Sequence, residues 1–178
     1  MYMVARIDGR NFTRLTKETH DFKRPFDEIF RDLMIETTKH LINSDFNIIY
    51  GYTQSNEISL LFEVNESLFG RKLRKFNSIL AGEASAKFSL LLGDIGVFDC
   101  RIYQIPTKDL VVDYFRWRNE DVFKNALGAH SYWKLRANGK SVKEATEELR
   151  GASVAAKNEM LFKNRINFNN YRIGKNVG

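Results

Sequence analysis

The sequence predicts an α+β domain: a ferredoxin-like βαββαβ core followed by further helices. Three observations carry this. Four short runs are rich in β-branched and aromatic residues. Two long stretches between them repeat apolar residues at helical spacing. Beyond residue 107 the pattern is almost wholly helical.

Tyr2–Asp8 reads as a short apolar strand ended by Gly9, and a polar loop follows to His20. Pro25 suits the first turn of a helix, and Asp27 and Glu28 suit its positive end. Phe26, Ile29, Phe30, Leu33, Met34, Thr37 and Leu41 then form its apolar stripe through Ile42. Two strand-like runs, 46–52 and 58–64, flank the polar stretch Thr53-Gln54-Ser55-Asn56-Glu57 and predict a β-hairpin. A second long helix is expected from Phe69 to Leu92, capped by Gly93. A fourth strand is expected over Val97–Ile105. Helices are expected near 110–127, 129–138, 142–149 and 153–162, with an irregular tail from Arg165. Right-handed crossovers place the first and third strands side by side and antiparallel. Asp8 should therefore meet the Ser55-Asn56-Glu57 stretch, although 47 positions separate Asp8 from Ser55.

The chain has 178 residues, 43% of them hydrophobic, enough for a real core. With two prolines and no Gly/Ser-rich stretch it reads as one domain, a 1–107 core with a mostly helical 108–178 extension packed on it. A formal net charge of +6 favours polyanionic partners. The single cysteine, Cys100, excludes an intrachain disulfide and a Cys-rich zinc site, and fits a cytoplasmic setting. No membrane partner is expected: Ile79–Leu92 is too short and too charged to span a bilayer, and the N-terminus lacks signal-peptide character. His20, His40 and His130 fit no metal motif and read as loop, helix surface and near-core.

Two acidic groups on neighbouring strands are a common way to hold Mg²⁺ on a triphosphate, because Mg²⁺ takes oxygen ligands and retains phosphate oxygens. Asp8 offers one carboxylate and Gly9 a carbonyl. Glu57 stands close by for outer-shell or substrate work. Asn56 occupies the place where a second carboxylate would serve, with a neutral amide. An Asp-Gly pair by itself reads more simply as a turn. Arg71, Lys72, Arg74 and Lys75 share neighbouring helical positions, a basic patch for triphosphate or RNA backbone, or a solvated face. Trp117 reads as core rather than as a base-stacking platform.

Several segments carry a resemblance. Arg6-Ile7-Asp8-Gly9-Arg10-Asn11-Phe12 and Gly51-Tyr52-Thr53-Gln54-Ser55-Asn56-Glu57-Ile58-Ser59 are joined by Phe98-Asp99-Cys100-Arg101 and Asp113-Tyr114-Phe115-Arg116-Trp117-Arg118. Lys157-Asn158-Glu159-Met160-Leu161-Phe162 and Ile166-Asn167-Phe168-Asn169 follow. In this order, over nearly the whole chain, they resemble the tRNA-histidine guanylyltransferase family, and more closely its templated 3′–5′ polymerase branch.

The resemblance implies a polymerase-type palm that adds nucleotides to the 5′ end of tRNA. ATP or GTP activates the 5′-monophosphate end, and the 3′-hydroxyl of an incoming nucleoside triphosphate attacks it. It implies two or more Mg²⁺ ions, held at Asp8, the Gly9 carbonyl and the Asn56 position, with Asp8, Asn56 and Glu57 as the catalytic set. It assigns Arg10, Asn11, Phe12, Arg24, Ser55, Lys72 and Lys75 to nucleotide, and Arg71, Arg74, Asn125 and Lys157 to tRNA. A homotetramer is implied as well. Two departures stand out. Asn56 replaces the family's aspartate, which opens the alternative of an inactive tRNA- or nucleotide-binding module. Phe123-Lys124-Asn125-Ala126 replaces a His-x-Asn-Asn run of the histidine-tRNA enzymes, which favours the template-dependent repair branch. A cyclase-type palm fits less well, because the hairpin lacks a Gly-Gly-acidic tip.

Overall fold

The computed structural model describes residues 1–168 and 175–177. Strand β1 (Tyr2–Gly9) lies between β3 (Glu57–Phe62) and β4 (Phe98–Ile105), antiparallel to both. β2 (Ile48–Gln54) pairs with β3, and the short β5 (Lys175–Val177) adds to the far edge of β2, giving the order β4-β1-β3-β2-β5. The first four strands form the expected ferredoxin-like sheet, with the first and third side by side. β5 departs from the irregular tail expected after Arg165. The expectation for Asn169 and Gly174 lies outside the described residues.

The two-residue period of β1 divides its side chains between two faces. Met3, Ala5 and Ile7 join Ile58, Leu60 and Phe62 in a core. Over this face pack α2 (Glu28–Ile42), through Met34 and Leu41, and α3 (Leu73–Leu92), through Phe76, Leu80, Ala84 and Phe88. Arg6 and Asp8 belong to the opposite face. Part of that face is covered by the first residues of α4 (Lys108–Ala137), with the Tyr114 hydroxyl 2.9 Å from Ser59 Oγ and rings in contact between Tyr103 and Tyr114 and between Tyr50 and Phe115. Ser59 pairs with Arg6, and Tyr103 with Val4. The cover therefore lies toward the start of β1.

The chain forms two compact units: Met1–Phe115 with the C-terminal strand, and a helical unit from Arg116 onward. The second contains most of α4, α5 (Val142–Leu149) and α6 (Val154–Lys163), with a small core of Ala126, Leu127, Leu161 and Phe168. Ser141 and Glu144 form a reciprocal capping box that starts α5 at the expected residue.

Several element boundaries differ from expectation. Gly128 does not break α4, because Leu127, Ser131 and Leu135 are buried at four-residue spacing across it. Continuous packing outweighs the roughly 1 kcal/mol that an interior glycine costs. The segment after Gly9 is helical, not a loop: α1 (Phe12–Arg14) runs into a π-helical turn over Leu15–Thr19. Pro25 lies outside α2, which is capped by Asp27 accepting from the Ile29 and Phe30 amides at 2.7 and 3.0 Å. Phe26 and Ile29, expected on the apolar stripe, are 53% and 67% exposed. The hairpin turn is only Ser55-Asn56, because Thr53 and Gln54 continue pairing with Ile58 and Glu57.

α3 also begins later than Phe69. Leu68–Arg71 is a 3₁₀ turn with Phe69, Gly70 and Arg71 in the left-handed region. The buried Glu66 carboxylate holds it, accepting from the Leu68 amide at 2.7 Å and the Asn47 amide at 2.6 Å. Burial opposes that charge, but these N–H groups together bring the Glu66 carboxyl below its ordinary range. Its stabilisation is fully present above the ordinary glutamate pKa and is lost as pH falls through the lowered folded value. Glu66→Gln leaves one buried N–H facing a donor. It should cost about 1–3 kcal/mol in urea unfolding at neutral pH, and the gap to wild type should narrow in acid.

Candidate active site

The site grows from the end of β1. Asp8 is directly opposite Glu57 on β3 and Asp99 on β4, so three carboxylates from adjacent strands share one row of one face. Like charges in register repel, and Arg6, one row below, offsets this. Its Nη2 lies 3.1 Å from Asp8 Oδ2 and its Nε 2.9 Å from Glu57 Oε2. Burial works against the Arg6 charge, but Glu57, the Tyr103 hydroxyl and Asp8 outweigh it and raise its pKa. Glu57 itself is only 6% exposed. It is a buried ion-pair partner that orients Arg6 and, through it, Asp8. Asp99 is exposed beside them. Arg6 and Asp99 lie within the segments that carry the resemblance, but linear sequence shows no role for either, because only the strand register sets them beside Asp8.

Asp8 and the hairpin tip meet as the topology required. The Gly9 amide donates to the Asn56 carbonyl at 2.9 Å. The Asn56 Nδ2 donates to Asp8 Oδ1 at 3.1 Å and to the Gly9 carbonyl at 3.0 Å. Ser55, in the left-handed region, places its hydroxyl 3.3 Å from Asn56 Oδ1. Asp8 and the Gly9 carbonyl thus converge as two oxygen ligands would, but the third expected ligand turns N–H donors toward them. Among the described residues no group of three or more His, Cys, Asp or Glu side chains could hold a metal ion. The residue set does not fit the magnesium pair expected at Asp8, Gly9 and Asn56.

Gly9 has a packing reason to be glycine. A Cβ there would meet the Phe12 ring at 2.6–2.7 Å. Phe12 is 3% exposed and packs against the rings of Phe30, Phe88 and Phe98. This corrects its assignment to nucleotide: the Phe12 ring belongs to the core and pins the turn that carries Asp8. Arg10 and Asn11 are exposed on that turn, where the Arg10 amide donates to the Val97 carbonyl at 2.8 Å. Asn11, at φ 60°, makes no side-chain cap to the short helix after it. Arg24 enters at the same end of the sheet, since it precedes α2 and Phe30 of that helix touches Phe12. Its guanidinium donates to the Lys17 carbonyl and to Asp21.

The basic patch lies elsewhere. Arg71, expected at tRNA, donates to the carbonyls of Met1, Val64 and Glu66, so its guanidinium ties the 64–66 segment to the start of β1. Met1, just before β1, is seven residues from Asp8, roughly 23 Å at about 3.3 Å per residue. Lys72, at the N-cap of α3, follows Arg71 at that far end, and Arg74 and Lys75 are exposed on the first turn. Within one chain Lys72 and Lys75 are not brought to Asp8. In the second unit, Asn125 is exposed on α4 beside Asp121, and Lys157 is half-buried on α6, where Glu159 pairs with Lys163. Trp117 is exposed with the buried Arg118 guanidinium over its ring, which corrects its placement in the core. Burial, and then Asp99, pushes the Cys100 thiol up to about 12, so it is no nucleophile. Among the described residues no helix is long and apolar enough to cross a membrane.

Residues 1–106 match the family model for tRNAHis guanylyltransferase, and residues 109–176 match that for the Thg1 C-terminal domain. The chain belongs to the tRNA-histidine guanylyltransferase family. It is 33% identical over 180 residues to a probable tRNA(His) guanylyltransferase of Drosophila melanogaster, covering 96% of this chain and 63% of the fly protein. It is 32% identical to one of Dictyostelium discoideum, covering 96% of this chain and 70% of that protein. It spans about 60–63% of the length of the fly, mouse and cattle relatives. Among solved structures, the Saccharomyces cerevisiae tRNA(His) guanylyltransferase superposes with a TM-score of 0.90 at 27% identity, covering 99% of this chain and 84% of that one. A bacterial guanylyltransferase-like protein in complex with ATP does so with a TM-score of 0.85 at 27% identity, covering 99% and 79%.

Gly9→Ala should destabilise the fold by about 1–3 kcal/mol, the usual cost of overpacking. Chemical denaturation measures it. Gly82→Ala, where a Cβ has open space, should be neutral or stabilising.

Proposed function

We propose that this chain is a nucleotidyltransferase that extends the 5′ end of tRNA in the 3′–5′ direction, template-directed, from nucleoside triphosphates. The observation that carries the reading is the convergence of Asp8, the Gly9 carbonyl and the Asn56 tip at one end of a palm-like sheet in a member of this family. Bacterial relatives solved with ATP and with GTP support triphosphates as substrates. In the first step an oxygen of the RNA 5′-monophosphate attacks the α-phosphorus of ATP or GTP, and pyrophosphate leaves. In the second, the 3′-hydroxyl of an incoming nucleotide attacks the 5′-phosphate, and the activating nucleoside monophosphate leaves. Catalysis of this kind is mainly alignment and charge stabilisation. Asp8, held by Arg6 and Glu57, is the fixed acid against which the attacking hydroxyl is placed. Arg10, Asn11 and Arg24 offer cationic and hydrogen-bonding groups for phosphate at the same end.

Homo-oligomerisation belongs to this reading. One chain leaves Lys72 and Lys75 at the far end of its sheet, so any role for them at triphosphate falls to a second copy.

A second reading, nucleotide or tRNA binding without turnover, is favoured by the Asn56 amide in place of a carboxylate. A 5′-truncated tRNA incubated with labelled nucleotides and Mg²⁺ separates the two. The expected outcome is slow 5′ extension by the wild type, raised at least about tenfold by Asn56→Asp, a change of roughly 1.4 kcal/mol in barrier. Adding Asp8→Ala to that variant should abolish it. Binding of ATP or tRNA with no extension by either protein would leave only the binding module.

A further inference from the structure

We propose that the Asn56 side-chain amide replaces a metal ion as the bridge between Asp8 and the Gly9 carbonyl, so that the resting protein has no tight divalent-cation site there. The inference concerns the resting site and does not depend on the proposed activity.

Asp8 Oδ1 and the Gly9 carbonyl both face the Asn56 Nδ2, at 3.1 and 3.0 Å. Neither can donate, so the amide orientation follows from the network. The reversed amide would gather three oxygens around a point with no positive charge. The Ser55 hydroxyl, 3.3 Å from Asn56 Oδ1, is compatible with this orientation, since a hydroxyl can donate to the amide oxygen. The two N–H groups thus occupy the position of a cation and supply its hydrogen-bonding equivalent without its charge.

The partners of Asp8 point the same way. The second oxygen of Asp8 is held by Arg6 at 3.1 Å, and Glu57 is held by the same guanidinium. Both oxygens of Asp8 are therefore engaged, one by the amide and one by a guanidinium that it shares with Glu57. A divalent cation entering here must displace the amide, compete with a guanidinium, and accept a neutral oxygen in place of a carboxylate. Mg²⁺ surrenders its waters reluctantly, and ligand charge sets divalent affinity. Aspartate at this position reverses each element. It removes the donors, adds a further negative charge beside Asp8, and completes a set of three oxygens.

The test is Mn²⁺ titration of the full chain, followed by the electron paramagnetic resonance signal of free Mn²⁺. The wild type should show only weak binding that Asp8→Asn leaves unchanged. Asn56→Asp should gain one site, tighter by roughly tenfold or more, and the double variant Asp8→Asn/Asn56→Asp should lose it. Wild-type binding as tight as that of Asn56→Asp and abolished by Asp8→Asn would overturn the proposal. So would a folded Asn56→Asp protein that gains no site. Circular dichroism checks the fold of each variant. If Asn56→Asp does not fold, the wild type decides by itself: the Asn56 side-chain NH₂ resonances should be unmoved by millimolar Mg²⁺. Their selective shift or loss would refute the amide bridge.

Discussion

The structure depends on β1 being paired on both sides. A strand in that position has no free edge, and its two-residue period must serve two environments at once. Ile7 is opposite Ile58 and Cys100 in the core, while Asp8 is opposite Glu57 and Asp99 on the other face. A slip of one residue would bury the carboxylates beneath α2 and α3 and expose the isoleucine. The hydrophobic requirement on one face therefore fixes the polar constellation on the other to within one residue.

The end of β1 is held by a second constraint, the closeness of the Phe12 ring to Gly9. The ring reaches the strand backbone only because no Cβ intervenes, and it brings Phe30, Phe88 and Phe98 into one aromatic cluster beneath the turn. The backbone that presents Asp8 and the Gly9 carbonyl is thus rigid for reasons of packing. Arg6 supplies the electrostatic counterpart, linking a buried glutamate to a half-buried aspartate. A functional acid is oriented here by a core phenylalanine on one face of the sheet and an ion pair on the other.

Membership of the guanylyltransferase family and the identity of Asn56 pull in different directions. The fold agrees with relatives whose structures superpose over almost the whole chain. Yet the amide closes the oxygen set with its own donors. The hydrogen bonds that result are well made, with donor and acceptor matched at each contact. Asn56 is therefore a satisfied structural element of this chain.

Much of this was legible in the sequence. Composition excluded an intrachain disulfide, the alternation of β-formers and apolar stripes predicted the βαββαβ order, and chirality rules placed Asp8 beside the Ser55-Asn56-Glu57 turn. Element ends were less legible. Asp27 capped a helix attributed to Pro25, and a continuous buried stripe carried α4 through Gly128. The roles of individual residues were least legible. Phe12 and Arg71 sit in matched or basic segments, yet one fills the core and the other ties three carbonyls. Sequence by itself determined which residue types were available and which segments formed strands or helices, because periodicity and propensity act locally. Only the tertiary structure decided that Arg6 holds two acids, that Asp99 stands beside Asp8, and that Asn56 turns its donors inward. Each of these depends on strand register and on the atoms that meet across it, which linear spacing does not encode.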